Sequence, residues 1–253
     1  MIKKVVGTTL LAMTLAVPFG AVAQEEKETD KQFIYATYFY CKTSAEEKAD
    51  AMIEKNTAPV YDAAVKDGTI KGWGWLAHHT GGKWRRIQYH VSDSVGGLLA
   101  AQETLAKRVS EASGDADDGF GSICGAHDDY IWQSESGSGG SGNRGKASVS
   151  VYHVCDISRE ERADEIVEKT FAPIYDKAVA DGKIKSWGWS SHMVGGKYRR
   201  LGTMSGDDYG SVLKARGEIL EAIYGDGDNA EANEFSEICT SHSDYLWDCL
   251  LYT

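Results

Sequence analysis

Two stretches of this chain repeat each other at a constant spacing. From Cys41 the sequence reads C-K-T-S-A-E-E-K-A-D, then A-P-V-Y-D, D-G-T-I-K-G-W-G-W-L-A-H and G-G-K-W-R-R. From Cys155 it reads C-D-I-S-R-E-E-R-A-D, then A-P-I-Y-D, D-G-K-I-K-S-W-G-W-S-S-H and G-G-K-Y-R-R. The offset is 114 residues from Cys41/Cys155 to Arg86/Arg200 and 115 at Cys124/Cys239, so one residue is inserted between them. Solenoid repeats have periods of roughly 20–50 residues. A longer period implies two similar modules of about 100 residues, each able to bury its own core.

The first residues read as an address. Lys3 and Lys4 precede an apolar run from Val5 to Val17, and Ala21-Val22-Ala23 forms a small-residue cleavage site before Gln24. This is the pattern of a secretory signal peptide over residues 1–23. The run is shorter than the ~20 residues of a spanning helix, and no later segment is apolar enough to span a membrane. Loss of Lys3 and Lys4 takes the formal charge from −11 to −13. That acidity disfavours nucleic acid and anionic membrane surfaces as partners. The expected location is periplasmic or secreted, where disulfides persist. Four of the five cysteines repeat, as Cys41/Cys155 and Cys124/Cys239. The arithmetic suggests one bridge per module and leaves Cys249 free or able to link two copies as a homodimer.

Residues 24–31 are charged and expected to be disordered. Module one is expected over 32–133, a flexible Gly/Ser linker over 134–146 and module two over 147–253. Each module reads as strand, helix, strand, strand, helix, strand. Ile34 to Cys41 is rich in β-formers. Ser44 with Glu47, and Ser158 with Glu161, match a capping box at the start of the first helix. Pro59 and Pro173 are expected to kink or restart that helix, and Gly68 and Gly182 to follow its end. T-G-G-K marks a hairpin turn. The last strands are expected over Ile123–Trp132 and Ile238–Trp247.

The order β-α-β-β-α-β is that of the ferredoxin-like module. Two in one chain, with the D-G-x-I-K-x-W-G-W approach to the second strand, resemble the dimeric α+β barrel superfamily. The fold class this implies is α+β, two tandem ferredoxin-like modules whose sheets pack as an intrachain pseudo-dimeric barrel. The superfamily includes quinol-forming monooxygenases, haem-degrading and haem-peroxidase branches, lactone isomerases and dehydratases. Its haem-binding branches ligate iron through a helix histidine. Neither long helix expected here contains one, so no cofactor is expected. In the implied topology the last strand lies beside the first, so Cys41 falls near Cys124 and Cys155 near Cys239. The rival reading is a Cys/His metal site through C-x-x-H at Cys124/His127 and Cys239/His242, but closely paired thiols are missing.

Chemistry concentrates in W-G-W-x-x-H-x-x-G-G-K-[WY]-R-R. It supplies Trp73, Trp75, His78, Arg85 and Arg86, repeated as Trp187, Trp189, His192, Arg199 and Arg200. Alternation puts the two tryptophans on one strand face and the histidine on the other, beside glycines that leave space. The tryptophans are candidates for core packing or for pocket lining. Each Arg pair sends one guanidinium to each face, where one would clamp a carboxylate or phenolate. The last strand carries His127 with Asp129 and His242 with Asp244, pairs suited to general acid–base work or to a surface ion pair. Tyr38 and Tyr152 are a further matched position. The acidic loops G-D-A-D-D-G and G-D-G-D-N-A-E lack the ligand spacing of an EF-hand, and calcium there stays open.

The leading expectation is an exported protein that binds an aromatic or carboxylate-bearing small molecule. The alternatives are a cofactor-independent monooxygenase, isomerase or lyase, with His78, His192, His127 or His242 moving protons, and a structural or assembly protein.

Overall fold

The computed structural model describes residues 31–113, 119–139, 144–225 and 227–253. The signal-peptide residues, nearly all of the segment 24–31 and the tips of both acidic loops lie outside them. Eight antiparallel strands close into a barrel in the order β1-β3-β2-β8-β5-β7-β6-β4, with helices packed on its outside.

β1 (Phe33–Tyr40) leads through a 3-10 turn into α1 (Glu46–Met52). A π-helical turn, Ile53–Thr57, joins α1 to α2 (Ala58–Lys66), with Pro59 in the first turn of α2. Proline has no N–H to donate, and the widened turn before it accommodates the missing bond. β2 (Gly72–Gly81) and β3 (Arg86–Ser92) form the hairpin, followed by α3 (Val95–Ser113). A short α4 (Phe120–Ile123) precedes β4 (Ala126–Ser138). The same order recurs in β5 (Ala147–Val154), α5 (Glu160–Ile166), a second π turn, α6 (Ala172–Ala180), β6 (Ser186–Val194) and β7 (Arg200–Gly206). It ends with α7 (Tyr209–Tyr224), α8 (Ala230–Ile238) and β8 (Ser241–Tyr252).

Each half contributes four adjacent strands, and the long β4 and β8 close the ring. β4 pairs with β1 and with β6 of the other half, and β8 pairs with β5 and with β2. Strand alternation then divides the side chains. One face of every strand points into the barrel, where Tyr38, Trp84, Tyr130 and Trp132 meet Tyr152, Tyr198, Tyr245 and Trp247. The other face packs under the helices in two separate apolar clusters, one per half.

Cys41–Cys124 and Cys155–Cys239 are disulfides, joining strand ends 4.1 and 3.9 Å apart at Cα. Their sulfurs are therefore not available to a metal. Cys249 is free and partly buried beside the barrel's aromatic filling, which does not support a homodimer bridged through it.

Local expectations needed correction in three places. Neither Ser44 nor Ser158 caps a helix; the second-half turn is held instead by Asp156, which accepts from the Ser158 N–H at 2.9 Å. The last strands begin at Ala126 and Ser241, because α4 and α8 take up the residues before them. Ser134 to Ser138, read as linker, are strand and pair with β6 from Ser190 to Trp187.

Candidate functional site

The repeated Trp and Arg residues brace the helices to the barrel. Trp73 and Trp75 are buried, and their indole N–H groups donate to Asp62 and Asp50 at 2.8 Å. Trp187 and Trp189 donate to Asp176 at 2.7 Å and Asp164 at 2.8 Å. Asp50 also takes two bonds from the buried Arg86, at 2.7 and 2.6 Å, and Asp164 takes the same pair from Arg200. Burial alone would raise the Glu46 carboxyl, but the Arg85 hydrogen bond and the charges of Arg86 and Arg85 hold it below its usual value. Glu160 repeats this with Arg199 and Arg200. The guanidiniums expected on opposite faces thus share one helix carboxylate in each half, and none of the four is left over to clamp a ligand.

His78 belongs to the same brace. Its Nδ1 accepts from Arg85 at 2.6 Å, so Nε2 carries the proton and donates to the Gly81 carbonyl at 3.1 Å. His192 repeats the Arg199 contact, and burial and the Arg199 charge lower its pKa. The space expected at Gly74 is taken by the Tyr89 ring, which a Cβ would meet at 2.4 Å. Tyr38 and Tyr152 stand edge to face at the centre of the barrel, and Trp132 donates to the Tyr38 hydroxyl at 3.1 Å. Burial raises both phenol pKa values above the usual range.

The halves differ on the helix side of the sheet. In the first half Tyr35 stacks on His90 at 5.6 Å, Tyr61 lies against both His90 and Trp73, and Phe39 packs on Trp75 and Phe120. At the equivalent second-half positions Tyr35 becomes Val149, Gln88 becomes Gly202, His90 becomes Met204 and Phe39 becomes His153. A cavity of about 710 Å³ lies here, between the sheet and α6, α7 and α8. Most of its wall is apolar, with Trp187, Trp189, Phe171, Tyr175, Met204 and Phe235.

Thr203, Glu221 and Ser236 also line the cavity, and three further polar residues, His153, His242 and Arg216, form one cluster. His153 on β5 lines it, with Nδ1 buried and without a hydrogen-bond partner. Burial, with His242 and Arg216 nearby, pulls its pKa down to about 4, so the ring is neutral near pH 7. Its ring centroid is 5.8 Å from that of His242 at the rim. His242 Nδ1 lies 2.6 Å from Asp244 Oδ1, and Asp244 Oδ2 accepts from Arg216 on α7 at 2.8 Å. In the first half His127 and Asp129 form a comparable exposed pair at 3.1 Å, but Phe39 stands where His153 would be. Of the candidate residues, the cavity thus gathers Trp187, Trp189 and His242. Trp73, Trp75, both Arg pairs, His78 and His192 are bracing, and Tyr38 and Tyr152 stand inside the barrel, where both line a second cavity.

His153, Arg216 and Gly202 escaped the sequence reading, because that reading followed what the halves share. The signal lies in their departures from the repeat: His153 for Phe39, Arg216 for Gln102 and Gly202 for Gln88. Among the described residues, no group of three His, Cys, Asp or Glu side chains is placed to hold a metal ion.

No protein-family model matches the sequence, and no curated protein does. Solved structures match the fold. One described as a candidate monooxygenase from Fusobacterium nucleatum has a TM-score of 0.60 at 11% identity, over 87% of this chain and 93% of its own. Another so described, from Lactobacillus acidophilus, scores 0.57 at 8% identity, over 88% and 96%. An anthrone oxidase-like protein scores 0.55 at 13% identity, over 89% and 94%. At such identities the likeness is one of architecture: this chain has the fold of the dimeric α+β barrel proteins.

Proposed function

We propose that this protein binds one aromatic small molecule, bearing a hydroxyl or carbonyl group, in the second-half cavity. His153 carries the reading. A buried imidazole nitrogen held without a partner at a cavity wall is costly, and a ligand hydrogen bond removes that cost. The cavity's size is within the ~300–1,000 Å³ of small-molecule sites. Arg216 is already paired with Asp244, so the ligand's polar group here is neutral rather than a carboxylate. We read the chain as an exported tandem of two ferredoxin-like modules, 32–133 and 147–253. The first is the structural partner, and the second has opened its core.

The test is a fluorescence titration reading Trp187 and Trp189 against aromatic alcohols, phenols, quinones and ketones. His153→Leu weakens binding about tenfold, the worth of one hydrogen bond in a closed site. Val149→Tyr with Gly202→Gln imports the first-half residues and abolishes it. Binding that ignores both variants overturns the proposal.

A second reading, an enzyme acting on such a compound, draws on the His242–Asp244 pair at the rim and on the monooxygenase names of the fold neighbours. Turnover of a bound phenol or quinol under air that is lost in His242→Gln while binding persists would establish it. Binding without turnover leaves the protein a carrier.

A further inference from the structure

A second cavity, of about 500 Å³, opens at the end of the barrel where β1 and β5 begin. It arises from the same asymmetry on the opposite face of the sheet. Where the first half carries Ala36, Leu76 and Tyr89, the second carries Ser150, Ser190 and Thr203, and all six line the space.

Arg144 also lines it. The residue is half-buried. It donates to the Tyr89 hydroxyl and lies 5.3 Å from the Tyr89 ring centroid. A half-buried guanidinium gains from an anionic partner, which forms the stronger, charge-assisted hydrogen bonds. Among the described residues no carboxylate is paired with Arg144. Its neighbours Tyr89, Cys249 and Tyr252 are weak acids. Burial raises both the Tyr89 hydroxyl and the Cys249 thiol above their usual values, so both stay neutral. The two other charged residues of the lining cancel each other, Lys31 lying 3.6 Å from Glu135.

We propose that this barrel-end cavity is a second ligand site, in which Arg144 receives the carboxylate of a small aromatic acid whose ring enters the barrel. The planar guanidinium fork matches a carboxylate in a way that the Tyr89 hydroxyl cannot. The apolar wall of Ile34, Ile87 and Trp132 suits a ring, and the serines and Thr203 leave room for it. The two cavities share Trp187, Gly188 and Thr203 in their linings but no charged or histidine side chain, so this site stands apart from that reading.

Calorimetric titration with benzoate and with its neutral isostere benzamide tests it on the full chain. The expected result is benzoate binding at least tenfold tighter than benzamide. Arg144→Gln erases the preference and Arg144→Lys retains part of it. Ser150→Leu, which fills the barrel end without touching the charge, blocks both probes. Val149→Tyr with Gly202→Gln leaves benzoate binding unchanged, so loss of the His153 site and loss of this one are read separately. Circular dichroism and the melting temperature confirm that each variant folds. Equal affinity for benzoate and benzamide, a preference that survives Arg144→Gln, or displacement of benzoate by chloride at equal concentration would each overturn the proposal.

Discussion

Asp50 and Asp164 each take an indole N–H and both arms of an arginine. Removing one partner of a buried pair leaves the other charge uncompensated, which costs about 3–5 kcal/mol. Asp50→Asn and Asp164→Asn should each approach that loss in urea unfolding, tempered by the Glu46 and Glu160 oxygens 3.2 Å from Arg86 and Arg200. Only Asp164→Asn should also weaken ligand binding, because Trp189 lines the cavity and Trp75 packs in a filled core. Two histidines add a pH dependence. Burial holds His90 and His153 at about 4, whereas an unfolded histidine titrates near ~6.5. Between those values the unfolded chain binds more protons, so stability is complete above pH ~6.5 and falls as the pH drops toward 4. The depressed Glu46 and Glu160 carboxyls act in the same direction at still lower pH, since their contribution is lost as they protonate. Urea midpoints across this range should fall with pH, and His90→Phe should flatten part of the slope. A midpoint independent of pH would contradict the buried, neutral state of both rings.

At the scale of elements, the disulfides tie the end of β1 to the start of β4 and the end of β5 to the start of β8. Each closes a long loop, with sequence separations of 83 and 84 residues. The chain-entropy account assigns about 4 kcal/mol to such a loop, though engineered bridges often deliver less. Reduction should lower the melting temperature clearly, and the paired substitution Cys41→Ser with Cys124→Ser should reproduce about half of the effect. An unchanged melting temperature after verified reduction would show that strand pairing alone holds these ends. The π turns before Pro59 and Pro173 are a second repeated device, letting one helical stretch bend around the barrel without losing its face.

For the whole molecule, closure is shared. β2 finds its second neighbour only in β8, and β4 meets β6 only across the halves. A half expressed alone would expose these edges, and an exposed edge recruits another strand. Residues 32–138 alone should therefore form a homodimer, with β4 of each copy beside β2 of the other. Light scattering after size exclusion gives the mass directly, and a stable monomer would show that closure is not needed for folding.

The internal repeat and the run of strands and helices were legible in the sequence, and the disulfide partners followed from the topology that the family resemblance implies; whether the tryptophans pack a core or line a pocket stayed open. The repeat and the elements depend on period, local propensity or a repeated residue, and those signals are written along the chain. The capping of the first helices and the helical turns before the last strands were not, because a turn of helix formers beside a disulfide has no period long enough to read. Which residues form a site was decided by tertiary structure. Arg86 and Arg200 look like ligand clamps until the helix carboxylates packed against them are seen. His153 and Arg144 look unremarkable until the barrel places one at a cavity wall with a buried nitrogen that has no hydrogen-bond partner and sets the other, half-buried, beside weak acids. Both proposed sites lie where the two halves differ, and the consequence of a difference depends on the space around it. That space exists only once both halves have closed on each other.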